Sequence, residues 1–395
     1  MKNLPVPTPM RIAFFAVKHI ELGGGIEKFT FELGKRLVQR GHDVTVYSMR
    51  HYGALPKNVE GMRVIGVPSL HFSFAEKLSA SFFAAIRIAG RNAPLFFRSK
   101  KYDIVHHHIA ASGAFALLSR MSGAKAVLQM HGIDWKRQRW SSFGQWFIRF
   151  LERIAVRTAT KNAFTAVSQV QCDFYEKLYG VRPHFIPTGC EIKEYVEPQE
   201  ILKLGLEPKK YILFASRLVA EKGPQYLIPA FRQLTGCCAG GTADYKLVIA
   251  GDAKDNEDFK RHLYDLAGND PRIIFPGFVS GRLLDELFHH ATMYVQPSEL
   301  EGLSIALLEG LGYGIPVLAS NIPENIEAVA DTGYYFENKS VDDLAQKLRW
   351  ILENLEEADS LAQTAKQRIM EKFSWNRVTD EFEEFYQKLI GRGSE

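Results

Sequence analysis

Residues 293–321 constrain the fold more than any other stretch. Met293-Tyr294-Val295 is a short apolar run that reads as the end of a strand. The segment Gln296-Pro297-Ser298-Glu299-Leu300-Glu301-Gly302-Leu303-Ser304 then breaks the periodicity. Ile305, Ala306, Leu308 and Leu311 recur at helical spacing, and Val317-Leu318-Ala319 reads as the next buried strand. Strand, loop, helix and strand make one unit of an α/β sheet. The loop is expected to place the backbone N–H groups of Gly302, Leu303 and Ser304 at a helix N-terminus, where free amides and the helix dipole favour an anion. Glu301 sits just before that helix, and Glu309, eight residues on, is expected about two turns along it. Amides and nearby cations can hold phosphates, whereas a carboxylate accepts hydrogen bonds from sugar hydroxyls. The combination suits a nucleotide sugar, with its diphosphate between two polyols.

The same alternation of elements starts twice. Residues 10–17 read as a buried strand, followed by a loop containing Gly23-Gly24-Gly25-Ile26-Glu27, a helix with Phe29, Leu33 and Leu37 on one face, and a strand at residues 43–47. The glycines occupy the nucleotide-binding position of such a unit, where they let a phosphate or an acceptor approach the backbone. Their spacing is not G-x-G-x-x-G. Residues 211–215 start the pattern again, and the loop after them carries Arg217 and Lys222. Two fixed cations at the C-terminal end of a strand can neutralise charge growing on a departing diphosphate. Between these starts, the strand at 126–130 ends in His131-Gly132-Ile133-Asp134-Trp135-Lys136-Arg137. His131 there could donate to a sugar hydroxyl, and the basic, aromatic continuation suits an acceptor with phosphate and apolar character. His106-His107-His108 closes another strand. Strand neighbours point to opposite faces, so a hydrogen-bonding role is expected rather than one metal site.

The Glu301 to Glu309 spacing resembles the E-x7-E signature of the GT-B retaining glycosyltransferases, specifically glycosyltransferase family 4. The resemblance covers nearly the whole chain and is most specific in the C-terminal half. It implies an α/β GT-B fold: two Rossmann-like parallel-sheet domains facing each other across a cleft. The expected boundaries are an acceptor-binding domain at 1–190, a linker at 191–209, a nucleotide-sugar domain at 210–374, and a C-terminal helix at 375–395 crossing back to the first domain. It implies transfer of a sugar from a nucleoside diphosphate, most simply a UDP-sugar, to an acceptor hydroxyl with retention, in polysaccharide or glycolipid synthesis. The implied catalytic residues are His131, Arg217, Lys222 and Glu301. The implied donor site adds Gly24, Gly25, Gly277, Val279, Gly302, Leu303, Ser304 and Glu309, with Glu309 on the ribose and backbone near Gly277 on the base. Glu27, Trp135, Lys136 and Arg137 are assigned to a lipid-linked or saccharide acceptor. The chain departs from the family where Thr188-Gly189-Cys190-Glu191 replaces Asn-Gly-Val-Asp and where Ser216 replaces the Gly before Arg217.

Composition narrows the alternatives. At 395 residues, with 46% apolar and 24% charged residues, the chain fits two soluble domains. No apolar run approaches a membrane span, and residues 1–10 lack a signal-peptide core, so a cytoplasmic home is expected. Cys172, Cys190, Cys237 and Cys238 show no metal-binding or disulfide spacing. No Asp-x-Asp occurs, so neither a metal nor another cofactor is expected. Residues 1–190 hold 27 Lys/Arg and 11 Asp/Glu, a balance of +16, against −12 in the remainder. A basic half calls for an anionic partner. The aromatic and basic stretch 71–101 suggests peripheral attachment to the inner face of an anionic membrane, and nucleic acid is not expected. Two readings of other classes remain at this point: a nucleotide-sugar epimerase of the same architecture, and a non-catalytic nucleotide-sugar-binding protein.

Overall fold

Strand β1 (Arg11–Val17) is apolar on both faces, as a central parallel strand must be when helices cover both sides of the sheet. In the computed structural model, residues 8–21, 24–71, 75–92, 102–137, 140–192, 194–236, 245–253 and 256–391 are described. Gly23, Phe72, Phe74, residues 93–101, Gln138, Arg139, Cys237 and Cys238 lie outside them. The chain divides into two units, residues 1–188 with 375–395, and residues 189–374.

Unit 1 continues with β2 (Asp43–Met49), β3 (Asn58–Val59), β4 (Met62–Val67), β5 (Ile104–His107), β6 (Lys125–Met130), β7 (Phe164–Ala166) and β8 (His184–Phe185). Their order is β3-β4-β2-β1-β5-β6-β7-β8. Apart from the antiparallel β3–β4 pair, neighbours run parallel. The connecting helices are α1 (Gly25–Gln39), α2 (Ala75–Asn92), α3 (Ala110–Gly113), α4 (Ala116–Met121), α5 (Ser142–Thr158) and α6 (Gln169–Tyr179). Phe29, Leu33 and Leu37 of α1 pack on the Ile12, Phe14, Ile104 and Val127 side of the sheet. Ala80, Ala84, Ala85 and Ile88 of α2 pack on the Phe15 and Val105 side.

Unit 2 holds β9 (Tyr211–Ala215), β10 (Lys246–Ala250), β11 (Ile273–Gly277), β12 (Met293–Gln296), β13 (Val317–Ser320) and β14 (Tyr334–Phe336), all parallel, in the order β11-β10-β9-β12-β13-β14. Its helices are α7 (Glu200–Lys203), α8 (Pro224–Arg232), α9 (Glu257–Ala267), α10 (Gly281–His290), α11 (Ile305–Tyr313), α12 (Pro323–Val329), α13 (Val341–Glu353) and α14 (Leu355–Lys372). The chain then returns to unit 1 through α15 (Trp375–Leu389), whose buried Trp375, Val378, Phe382 and Tyr386 complete the core around α1.

The stretch 191–209, expected as a linker, belongs to unit 2 and is packed into it. Ile201 and Leu206 are buried, and the amides of Gln199, Glu200 and Ile201 donate to the Glu286 carboxylate at 2.8, 2.6 and 3.1 Å. Burial pushes the Glu286 pKa up, but Arg282 and those amides outweigh it and hold the carboxyl down at about 2.

Candidate active site

In each sheet one strand has its successors on both sides. In unit 2 this is β9, with β10 on one side and β12 on the other; in unit 1 it is β1, between β2 and β5. Open α/β sheets bind ligands outside the carboxyl ends of the strands at such a reversal, where the flanking loops part to opposite faces.

At the unit 2 reversal, the loop after β9 carries Arg217 and Lys222, and the loop after β12 carries Glu301. The structure brings them together: Lys222 Nζ lies 2.5 Å from Glu301 Oε1, with both side chains largely buried. The two loops touch through backbone. Gly223 has φ +75°, and a Cβ there would sit 1.9 Å from the Pro297 carbonyl oxygen, so the approach requires glycine. Gln296, at the end of β12, fixes Glu301 from beneath. Its Nε2 donates to Glu301 Oε1 at 2.7 Å and Ser298 Oγ at 2.5 Å, while its Oε1 accepts from the Tyr294 hydroxyl and from Ser304 Oγ at 3.4 Å. Burial, and then the charges of Glu301 and Glu309, push the Tyr294 hydroxyl pKa well up, so it stays protonated as a donor.

The geometry corrects one expectation. Helix α11 starts at Ile305 with Ser304 as its N-cap, the hydroxyl accepting from the Leu307 amide at 3.3 Å. The amides of Gly302 and Leu303 therefore belong to the loop before the helix, and Ser304 only caps it. Glu301 is also in the loop, so Glu309 lies little more than one turn into α11 rather than two turns beyond Glu301. Gly277 ends β11 with φ +76° in open space, and its carbonyl accepts from the Gly251 amide at 2.8 Å. Val279 follows it, two strands away from β9.

At the unit 1 reversal, Gly24 is the N-cap of α1, without a side-chain cap. The Glu27 carboxylate folds back over Gly24 and accepts the Lys18 amide at 3.1 Å, so it closes this turn rather than pointing outward. Burial lowers the Lys77 pKa, while Glu27 and Asp134 oppose that shift. His131 Nε2 lies 3.2 Å from His108 Nδ1, and His108 Nε2 lies 3.0 Å from Thr30 Oγ1. Burial lowers the His131 pKa to about 3, so the imidazole is neutral at ordinary pH. His106 bonds Tyr386 and Gln129, and His107 bonds Ser119, so the three strand-end histidines have separate partners.

Trp135, Lys136 and Arg137 form a turn held by internal contacts. The Trp135 indole donates to Glu152 at 3.2 Å, Lys136 Nζ lies 4.5 Å from the centre of the Phe174 ring, and Arg137 pairs with Asp134 at 3.1 Å. Gln296, Tyr294 and Thr30 escaped the sequence reading as supports of the site. Each lies inside a strand or helix as an ordinary polar residue, and only pairing across elements reveals its role. No group of three or more metal-ligating side chains forms among the described residues.

Solved structures share the fold. Sucrose-phosphate synthase from Thermosynechococcus elongatus matches with a TM-score of 0.81 at 18% identity, covering 97% of this chain and 99% of that one. HepE of Anabaena, solved with UDP-glucose, matches with a TM-score of 0.77 at 18% identity, covering 97% and 100%. The fold is that of the GT-B glycosyltransferases. A family model described as "Glycosyl transferases group 1" matches residues 197–368, and one described as "Glycosyltransferase Family 4" matches residues 23–194. The chain belongs to the family 4 glycosyltransferases. An uncharacterized glycosyltransferase of Methanocaldococcus jannaschii is 25% identical over 387 residues, 93% of this chain and 96% of that protein.

Proposed function

We propose that the protein transfers a sugar from a nucleoside-diphosphate sugar, a UDP-sugar first among them, to an acceptor hydroxyl with retention at the anomeric carbon and without a metal ion. The observation that carries this reading is the Lys222–Glu301 pair at the unit 2 reversal: a cation for phosphate and a carboxylate for sugar hydroxyls on adjoining loops. Arg217 and Lys222 take the diphosphate, Glu301 the donor-sugar hydroxyls and Glu309 the ribose, while backbone at Gly277 and Val279 meets the base. The loop amides of Gly302 and Leu303, with the capped start of α11 at Ser304, add donors for phosphate. Unit 1 is assigned the acceptor, through His131 and the turn of Trp135, Lys136 and Arg137, with Glu27 shaping the Gly24 turn beside them. Gly24 and Gly25 give phosphate or acceptor a close approach to backbone.

In the reaction the bond from the anomeric carbon to the phosphate oxygen breaks with its electron pair going to the diphosphate. The acceptor oxygen bonds the same face of the carbon, and its proton passes to the leaving phosphate. Neutral His131 offers a hydrogen bond to a sugar hydroxyl. Both matched families are defined by sugar transfer, which favours this reading over the epimerase and the sensor. The UDP-glucose in the Anabaena neighbour supports UDP as the first donor to test.

A thermal-shift screen of UDP-, GDP- and ADP-sugars tests the donor, because a ligand bound only by the folded state raises stability by about 2.7 kcal/mol at a hundredfold excess over Kd. UDP-sugars are expected to raise the melting temperature. NMR of the product then reports the anomeric configuration, and inversion would reject the retaining reading.

A further inference from the structure

Helix α5 carries two apolar stripes where a surface helix of a soluble protein has one. The inner stripe, Gly144, Ile148, Leu151 and Ala155, is buried on unit 1. The outer stripe is Phe143, Trp146, Phe147 and Phe150, at the i, i+3, i+4, i+7 spacing of one helix face. Phe143 is 71% exposed, Trp146 60% and Phe150 48%. Their rings stack on one another, Trp146 on Phe150 at 5.9 Å and Phe143 on Phe147 at 6.3 Å. Arg149, Arg153 and Arg157 are exposed on the same helix.

The stripe is not isolated. Helix α4 packs against both α5 and α2, so the three helices form one layer over the sheet. That layer also exposes Phe82, Phe83 and Ile86 of α2 and Leu117 and Met121 of α4. Beside α2, a cleft of about 290 Å³ is lined by Arg50, Lys57, Arg63 and Arg87, with no carboxylate in its lining. On the three helices Arg87, Arg120, Arg149, Arg153 and Arg157 are exposed, whereas the acids Glu76 and Glu152 are buried and meet Tyr52, His51 and Tyr179. The described outward charges of this layer are therefore positive.

We propose that the α2–α4–α5 layer of unit 1 docks on an anionic lipid bilayer, with Phe143, Trp146 and Phe150 entering the headgroup–acyl boundary and the arginines meeting lipid phosphates. An aromatic face framed by cations is the chemistry of an interfacial helix. Trp in particular settles at the headgroup level. The cation-lined cleft fits a phosphate-bearing headgroup. The surface stands on exposure and charge alone and is independent of the donor reading.

Flotation of the whole protein with vesicles tests it. The protein should float with phosphatidylcholine vesicles containing phosphatidylglycerol at low salt, float less at high salt, and ignore pure phosphatidylcholine, since each engaged cation contributes about fivefold and is screened beyond a Debye length. Replacing Phe143, Trp146 and Phe150 together by Ser should weaken partitioning by roughly thirtyfold or more. Arg153→Glu with Arg157→Glu should weaken it by at least about 25-fold. All five side chains are exposed, so the variants should keep the wild-type circular dichroism and melting temperature. Quenching of wild-type tryptophan fluorescence by bromine-labelled phosphatidylglycerol vesicles, lost in Trp146→Phe, would support insertion at this helix. The proposal is overturned if the wild type never floats with the anionic vesicles or if the triple Ser variant floats as well as the wild type. A wild-type dimer in sedimentation that the Ser variant abolishes, without lipid binding, would instead make this face a contact between copies and overturn it as well.

Discussion

Lys222 joins two segments 79 residues apart, and the identity of its partner is the part of the site that the sequence hides. The residue types and their loops were readable. Cations after one strand and a Glu–Gly loop after another each predict a ligand-facing loop. Their adjacency depends on β9 and β12 being neighbours, which is a property of strand order and has no local signature. The support under Glu301 was unreadable for a similar reason, because Gln296 reaches it through an amide at the buried end of a strand. Arg217→Ala and Lys222→Ala should each lower kcat about 10²–10³-fold, the scale for removing a preorganised charge stabiliser. Steady-state rates with a donor from the thermal-shift screen measure this. Near-normal turnover by both variants would leave the diphosphate clamp without support.

The strand-end histidines of β5 belong to the scale of the element. Alternation along the strand separates them as the sequence predicts, with His106 and His108 facing Phe14 and Phe29, and His107 facing Phe15. Their burial follows from β5 being internal to the sheet, which the apolar residues before them imply. Burial pushes His107 down to about 3 and His106 and His108 well below the usual range. The unfolded chain takes up these protons near pH 6.5, whereas the folded chain resists to well below that, to about pH 3 for His107. The stabilisation is thus fully present above the unfolded pKa and is lost as pH falls below it, at up to about 1.4 kcal/mol per pH unit for each histidine. Denaturant unfolding of unit 1 should show a lower midpoint at pH 5.5 than at pH 7.5, and His107→Gln should flatten that slope by about one proton. A flat profile down to pH 5 would mean that these imidazoles are solvated in the folded state. The start of α11 was legible from the break in periodicity before Ile305, whereas its cap shows only in the hydrogen bond from the Leu307 amide to the Ser304 hydroxyl.

Across the whole molecule, the double start of the α/β alternation was enough to predict two doubly wound sheets. Residues 191–209 misled because turn-forming and charged residues usually mark solvent-exposed linkers. Here their amides are paid for by one buried carboxylate, Glu286, contributed by α10. The chain-wide lack of Asp-x-Asp carries a prediction of the same scale. Protein stripped of metal and assayed in excess EDTA should retain turnover if, as proposed, Arg217, Lys222 and backbone amides take the role of a divalent ion on the diphosphate. Complete loss restored by Mg²⁺ or Mn²⁺ would reverse that reading.

Unit 2 is also an insertion. The chain leaves unit 1 after Thr188 and re-enters it only at Trp375. Trp375, Phe382 and Tyr386 fill the core between α1 and the sheet, and Tyr386 is the hydroxyl partner of His106. On a ribosome this fixes an order of events. Unit 2 can close as soon as its last strand and helices emerge, because all its strands lie within a continuous run of chain. Unit 1, although made first, must wait through the synthesis of its neighbour with one side of its sheet lacking α15, its apolar residues exposed for the longest interval of any part of the protein.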